Sequence, residues 1–235
     1  MKGLFVYRGL NAPRNAVILL RDLWKGSDRD YGDGWDDPDP WEDNRTPSSP
    51  RSSLPLTISG MILSLCVILF LVRLAAPSFA FNYLALNPAL VMSRPWTLIT
   101  HMFMHANFNH LFFNMIFLFF FGTELERRIG ENRFIMVFIV SGLVAAFGQM
   151  AVVPVGFMLG ASGALYGVMG CLAVIAPEIR VLLFFVIPMS IRASVVLFAI
   201  LDFTMMGSAD SIAHMAHIAG LVAGVVFGET MKRRY

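Results

Sequence analysis

"LGASGALYGVMG", residues 159–170, sets a serine among glycines 160, 163, 167 and 170 in one of the most apolar parts of the chain. Two readings are open. Small residues let membrane helices approach closely, which would make Ser162 a packing residue. A polar side chain within a spanning segment is also costly, and by default it points to function. The surrounding segments decide between these readings.

Of the 235 residues, 57% are hydrophobic and 14% charged, with a formal net charge of +2. The apolar share exceeds that of ordinary globular domains and the charged share falls well below it. The expected fold class is therefore an all-α polytopic membrane protein. The start lacks a clean apolar run followed by a small-residue cleavage site, so no secretory signal is expected. Cys66 and Cys171 both lie in apolar runs and imply neither a disulfide framework nor a metal site.

Residues 26–55 are rich in Asp, Pro, Ser and Gly. Such composition cannot bury enough apolar surface to offset the entropy of ordering, so this stretch reads as a disordered acidic linker. Before it, Ala16, Leu19, Leu20 and Leu23 recur at helical spacing among Arg14, Arg21 and Lys25. That pattern suits an interfacial helix or a short soluble one.

A spanning helix needs about 20 residues, and six candidates follow. The first covers 56–76, with Arg73 snorkelling to the surface. The second runs from about 108 to 122, the third covers 134–153, and the fourth ends at Pro177. The apolar stretch 181–206 is too long for one plain span and is interrupted by Pro188 and Arg192. Within it "VLLFFVIP" reads as interfacial and the fifth helix as roughly 193–206; the sixth covers 212–231. The expected domains are a cytoplasmic tail, 1–55, a six-helix domain, 56–231, and a basic cytoplasmic end, 232–235.

Lys and Arg in short loops give the orientation. Arg127, Arg128 and Arg133 join spans two and three, Arg180 and Arg192 join four and five, and Lys232, Arg233 and Arg234 follow six. The opposite loops hold only Arg94. Both termini are thus expected inside.

With that orientation His101, His105, His110, His214 and His217 all fall at the outer, N-terminal ends of spans, as does Ser162. Asn114 lies one helical turn beyond His110. A fourth helix over residues 161–176 is only ~24 Å long at 1.5 Å per residue, against a hydrocarbon core of ~30 Å. It would start below the outer surface, where a helix N-terminus offers unpaired N–H groups and partial positive charge. His217, Gly220, Gly224 and Gly228 share one face of the sixth span, opposite a stripe of Ser162, Tyr166 and Gly170. Close approach of these faces is what a serine–histidine hydrogen bond of ~2.6–3.2 Å requires, and Tyr166 would stack on the imidazole.

"GASG" followed by Tyr166, "HANFNHLFFN" at 105–114 and "AHIAG" at 216–220 resemble the rhomboid intramembrane serine proteases, over about residues 56–231. The resemblance implies a six-transmembrane-helix rhomboid-type bundle and a Ser–His dyad with no acid. Ser162 would be the nucleophile, and His217 the general base and later acid. His110 and Asn114, with the Ser162 N–H, would form the oxyanion hole. Glu126, Arg128 and Gly130 in "ELERRIG" match the family's pattern as structural anchors. Thr97 after Trp96 departs from the family's usual Trp-Arg, which bears on how this loop is anchored.

His214 competes with His217 for the base, but the glycine face and the "AHIAG" motif favour His217 and leave His214 as a cavity-wall residue. His101 and His105 are expected to be interfacial hydrogen-bonders. A metal site lacks HExxH, and Asp210 is the only acid near the histidines, so neither metal nor cofactor is expected. The expected partners are transmembrane protein substrates and membrane lipid, with no nucleic acid. "FTMMGSADS", 203–211, would be a hinged lid over Ser162. A bacterial inner membrane is the expected location. The alternative is a catalytically silent rhomboid-like protein that binds membrane clients.

Overall fold

The computed structural model describes residues 57–183, 186–206 and 213–232. The expected N-terminal tail, residues 207–211 of the expected lid (Asp210 included) and the end of the chain at 233–235 lie outside the described residues.

The described residues are mostly helical. In chain order they form α1 (Ile58–Ala75), α2 (Pro77–Tyr83), α3 (Thr97–Thr100), α4 (Phe108–Ile129), α5 (Glu131–Val152), α6 (Ser162–Ile175), β1 (Arg180–Leu183), β2 (Ile187–Ser190), α7 (Ile191–Thr204) and α8 (His214–Lys232). Among them α1, α4 and α5 are long and apolar enough to cross a membrane, and α6 is a shorter apolar helix. Large apolar side chains such as Phe113, Phe119, Ile200 and Val222 point outward from these helices. Such a surface fits lipid, which is as apolar as the side chains themselves.

Helix ends explain the boundaries. Thr57 caps α1 by accepting the Gly60 N–H, and Asn107 caps α4 by accepting the His110 N–H at 2.8 Å. The second expected span does not stop at 122. It continues as α4 to Ile129 through one π-helical turn at Leu118–Gly122. The charges in its last turns pair with one another: Glu124 accepts from both Arg127 and Arg128, and Arg128 also reaches Glu178 at 2.8 Å. Gly130 then turns the chain into α5 at φ 81°, a conformation that costs glycine little and other residues more.

Glu126 joins α4 to α1. Its carboxylate accepts the backbone N–H groups of Ile58 and Ser59, at 2.7 and 2.9 Å, and the Ser59 hydroxyl. A buried anion is thereby satisfied at the positive end of a helix.

The apolar stretch after α6 is an antiparallel hairpin, with Arg180 opposite Ser190 and Leu182 opposite Pro188. Pro188 lacks an N–H and cannot extend a helix, but a two-stranded ribbon tolerates it on an edge. The following helix starts at Ile191, slightly earlier than expected, because the Ser190 hydroxyl caps it by accepting the Ala193 N–H at 3.2 Å.

The centre of the domain is α6, which packs between α5 and α8 and is buried along most of its length. Its contact with α8 is backbone on backbone. A Cβ on Gly220 would lie 2.0 Å from the Gly163 carbonyl oxygen, and one on Gly224 would lie 1.8 Å from that of Gly167. Neither obstacle is a flexible side chain, so only glycine fits. Gly224→Val should force α6 and α8 apart and cost roughly 3 kcal/mol or more. Thermal unfolding in detergent should show this as a large fall in midpoint, with Val222→Ala, on the outward face, nearly unchanged.

Candidate active site

The segment before α6 is irregular backbone held by bonds to the loop between α2 and α4. Leu86 and Met158 exchange backbone hydrogen bonds at 2.8 and 3.0 Å, and the Gly160 N–H donates to the His101 carbonyl at 2.9 Å. Gly160 has φ 131°, and a Cβ there would strike the His110 ring at 2.7 Å. Only glycine therefore lets His110 lie against the chain just before Ser162. Ser162 is the first residue of α6, and no side chain caps that helix start.

Across the glycine contact, the first turn of α8 presents His217. Its Nε2 lies 2.8 Å from Ser162 Oγ. The Tyr166 ring, one turn along α6, stacks on the imidazole with 4.3 Å between centroids and 12° between planes. The α6–α8 packing thus brings Ser162, His217 and Tyr166 together, and α4 brings His110 alongside. Asn114 differs: its Nδ2 donates to the His110 carbonyl at 2.7 Å, within its own helix.

His101 and His105, expected to be interfacial hydrogen-bonders, are both buried within the protein. His101 Nδ1 donates to the Thr97 carbonyl at 2.8 Å, and His105 stands edge-on to the His110 ring with 5.1 Å between centroids. Thr97, the departure from the family's loop pattern, is itself buried, and its hydroxyl donates to the Arg94 carbonyl at 2.7 Å.

An acid absent from the sequence reading completes the cluster. Asp202, buried near the end of α7, places Oδ1 at 2.9 Å from His217 Nδ1 and 2.7 Å from His214 Nδ1. An ionised carboxylate only accepts, so both Nδ1 atoms carry the protons. His217 Nε2 is then left to accept the Ser162 hydroxyl. The available signal was a single acid within the apolar run 193–206, since an intramembrane carboxylate points to function by default. Among the described residues, Asp202, His214 and His217 also form a group that could hold a metal ion, with ligand atoms within 4.8 Å of one another. The 2.7 and 2.9 Å separations are those of shared protons.

A serine hydrogen-bonded to a histidine within a helical, apolar-surfaced bundle is the arrangement set beside known proteins here. The chain matches the Rhomboid domain over residues 92–234 and belongs to the rhomboid family of polytopic integral membrane proteins. It is 30% identical over 179 residues to the rhomboid protease GlpG of Yersinia pestis, covering 73% of this chain and 61% of GlpG. It is 33% identical over 159 residues to the mitochondrial Rhomboid protein 1 of Saccharomyces cerevisiae, covering 64% of this chain and 45% of that protein. The chain therefore spans about half the length of the curated relatives it matches.

Loss of the stacked ring should loosen the imidazole. An aromatic pair contributes about 0.5–1.5 kcal/mol beyond its buried area, so Tyr166→Ala should slow modification of Ser162 by a fluorophosphonate by about tenfold. Tyr166→Phe, which keeps the ring, should lose less. Labelling rates of the purified variants measure both.

Proposed function

We propose that this protein is an intramembrane serine endopeptidase that cleaves transmembrane segments near the outer membrane face. The carrying observation is the 2.8 Å separation between Ser162 Oγ and His217 Nε2. The name of GlpG, a rhomboid protease, supports the same reading.

Ser162 Oγ attacks the scissile carbonyl carbon while His217 Nε2 takes the hydroxyl proton. The carbonyl oxygen becomes an oxyanion, held by the Ser162 N–H and the His110 ring. Asn114 joins them once its carboxamide rotates away from the His110 carbonyl. The protonated His217 gives its proton to the leaving amine, and the peptide bond breaks to leave an ester on Ser162. Water, deprotonated by His217, then hydrolyses that ester and returns the serine. Each donor in the oxyanion hole contributes roughly 10²–10³ in rate.

In this reading α1, α4, α5, α6, α7 and α8 are six crossings within a domain over 56–231. The substrate is a transmembrane protein whose helix unwinds and approaches from the lipid, with residues 203–211 as the lid. Arg127, Arg128, Arg133, Arg180 and Arg192 lie on the cytoplasmic side with both termini, which sets Ser162 toward the outer face. The membrane is a bacterial inner membrane.

Fluorophosphonate labelling of the detergent-solubilised protein, with EDTA in a parallel sample, tests the assignment together with cleavage of a model transmembrane substrate. Labelling and cleavage should survive EDTA, and both should disappear in Ser162→Ala and in His217→Ala. No labelling of a folded protein would indicate a client-binding rhomboid without catalysis. Loss in EDTA would indicate a metal centre at Asp202, His214 and His217.

A further inference from the structure

The Ser162–His217 pair is expected, from the family resemblance, to work without an acid, yet a buried carboxylate touches the imidazole. We infer that Asp202 is a positioning residue that fixes the tautomer and orientation of His217, with His214 holding the carboxylate in place. The inference rests on the serine-protease reading above.

Three observations carry it. First, Asp202 comes from α7, a different helix from either member of the pair, and reaches His217 Nδ1 at 2.9 Å. Helix packing therefore sets the contact, and no local turn produces it. Second, the same oxygen receives His214 Nδ1 at 2.7 Å, so the carboxylate is held by two side chains three residues apart on α8. Third, burying an acid in an apolar helix is unfavourable unless it is paired and hydrogen-bonded. That condition is met in the structure, where Oδ1 is paired twice. A carboxylate kept for packing alone would be easily replaced by an apolar side chain.

The consequence for His217 is geometric. Its Nδ1–H donates to Asp202, its face rests on Tyr166, and its Nε2 accepts from Ser162. These contacts leave the ring one orientation and one tautomer, the one in which Nε2 is free to act as base. When Nε2 takes the serine proton, the imidazolium forms beside an anion already in place, so no dipole has to reorganise at that step. The Nδ1–H of His214 gives the carboxylate a second proton donor.

The experiment uses the full chain in detergent, with a model transmembrane substrate and imidazole ¹⁵N spectra. Asp202→Asn should lower kcat by about 10²–10⁴ with KM within about twofold, and Asp202→Glu should recover part of the loss. In Ser162→Ala protein, where Nε2 has lost its partner, His217 should carry its proton on Nδ1. In the Ser162→Ala, Asp202→Asn double variant the two tautomers should mix. If wild type cleaves and Ser162→Ala does not, while Asp202→Asn keeps kcat within twofold, the carboxylate is only structural and the inference falls. A His217 proton on Nε2 in Ser162→Ala protein overturns it equally, and needs no folded Asp202 variant. Failure of wild type to label or cleave would instead remove the protease reading itself.

Discussion

The contact on which this molecule depends is the meeting of two backbones. Gly220 and Gly224 of α8 lie against the carbonyls of Gly163 and Gly167 on α6, too close for any side chain to intervene. Lipid supplies no hydrophobic drive for helices to associate, so close packing and polar contacts must do so. The glycine face provides the first and permits the second. Ser162 opens α6 and His217 sits in the first turn of α8, so the separation of the helix axes fixes the separation of hydroxyl and imidazole. A wider spacing would leave both side chains present and no bond between them.

Around that contact, buried polar groups are assigned partners from other elements. The Ala216 N–H, in the first turn of α8, donates to Gln149 of α5 at 3.2 Å. The Gly160 N–H ends on His101, and Glu126 gathers the first N–H groups of α1. Unsatisfied groups are costly where water is scarce, so these bonds also fix the relative heights of the helices. The site inherits its depth from them: a loop tied to residues 86 and 101 delivers the start of α6 beneath His110.

Much of this was legible in the sequence, and the misses have physical causes. The spacing of Ser162, Tyr166, His217 and the glycines is a helical periodicity, and periodicity predicts shared faces well. Hence the stacking of Tyr166 on His217 could be foreseen. The length of α4 could not, because Glu124, Arg127 and Arg128 look like an exit into water until their mutual pairing is known. The hairpin at 180–190 was hidden by an apolar run without alternation. Asn114 shows a different limit. Its position on the helix is legible, but its rotamer, turned to the His110 carbonyl, is not. Asp202 was not legible because Asp210 lies nearer to His214 in sequence, whereas the acid that meets both histidines belongs to the preceding helix.

Asp202 also changes what the fold must do. A serine and a histidine can be aligned by two helices alone, and the glycines of α6 and α8 suffice for that. A carboxylate on α7 that meets both histidines of α8 brings a third helix into contact with His217. In sequence α7 is flanked by the 180–190 hairpin and the segment 207–212, and it is anchored near its start by Arg192, whose Nε donates to the Ala173 carbonyl at 3.1 Å. Its far end bears Asp202, which is tied to α8 through the two imidazoles. The hydrogen bonds that Asp202 makes to His214 and His217 are thus among the bonds that hold α7 against the core.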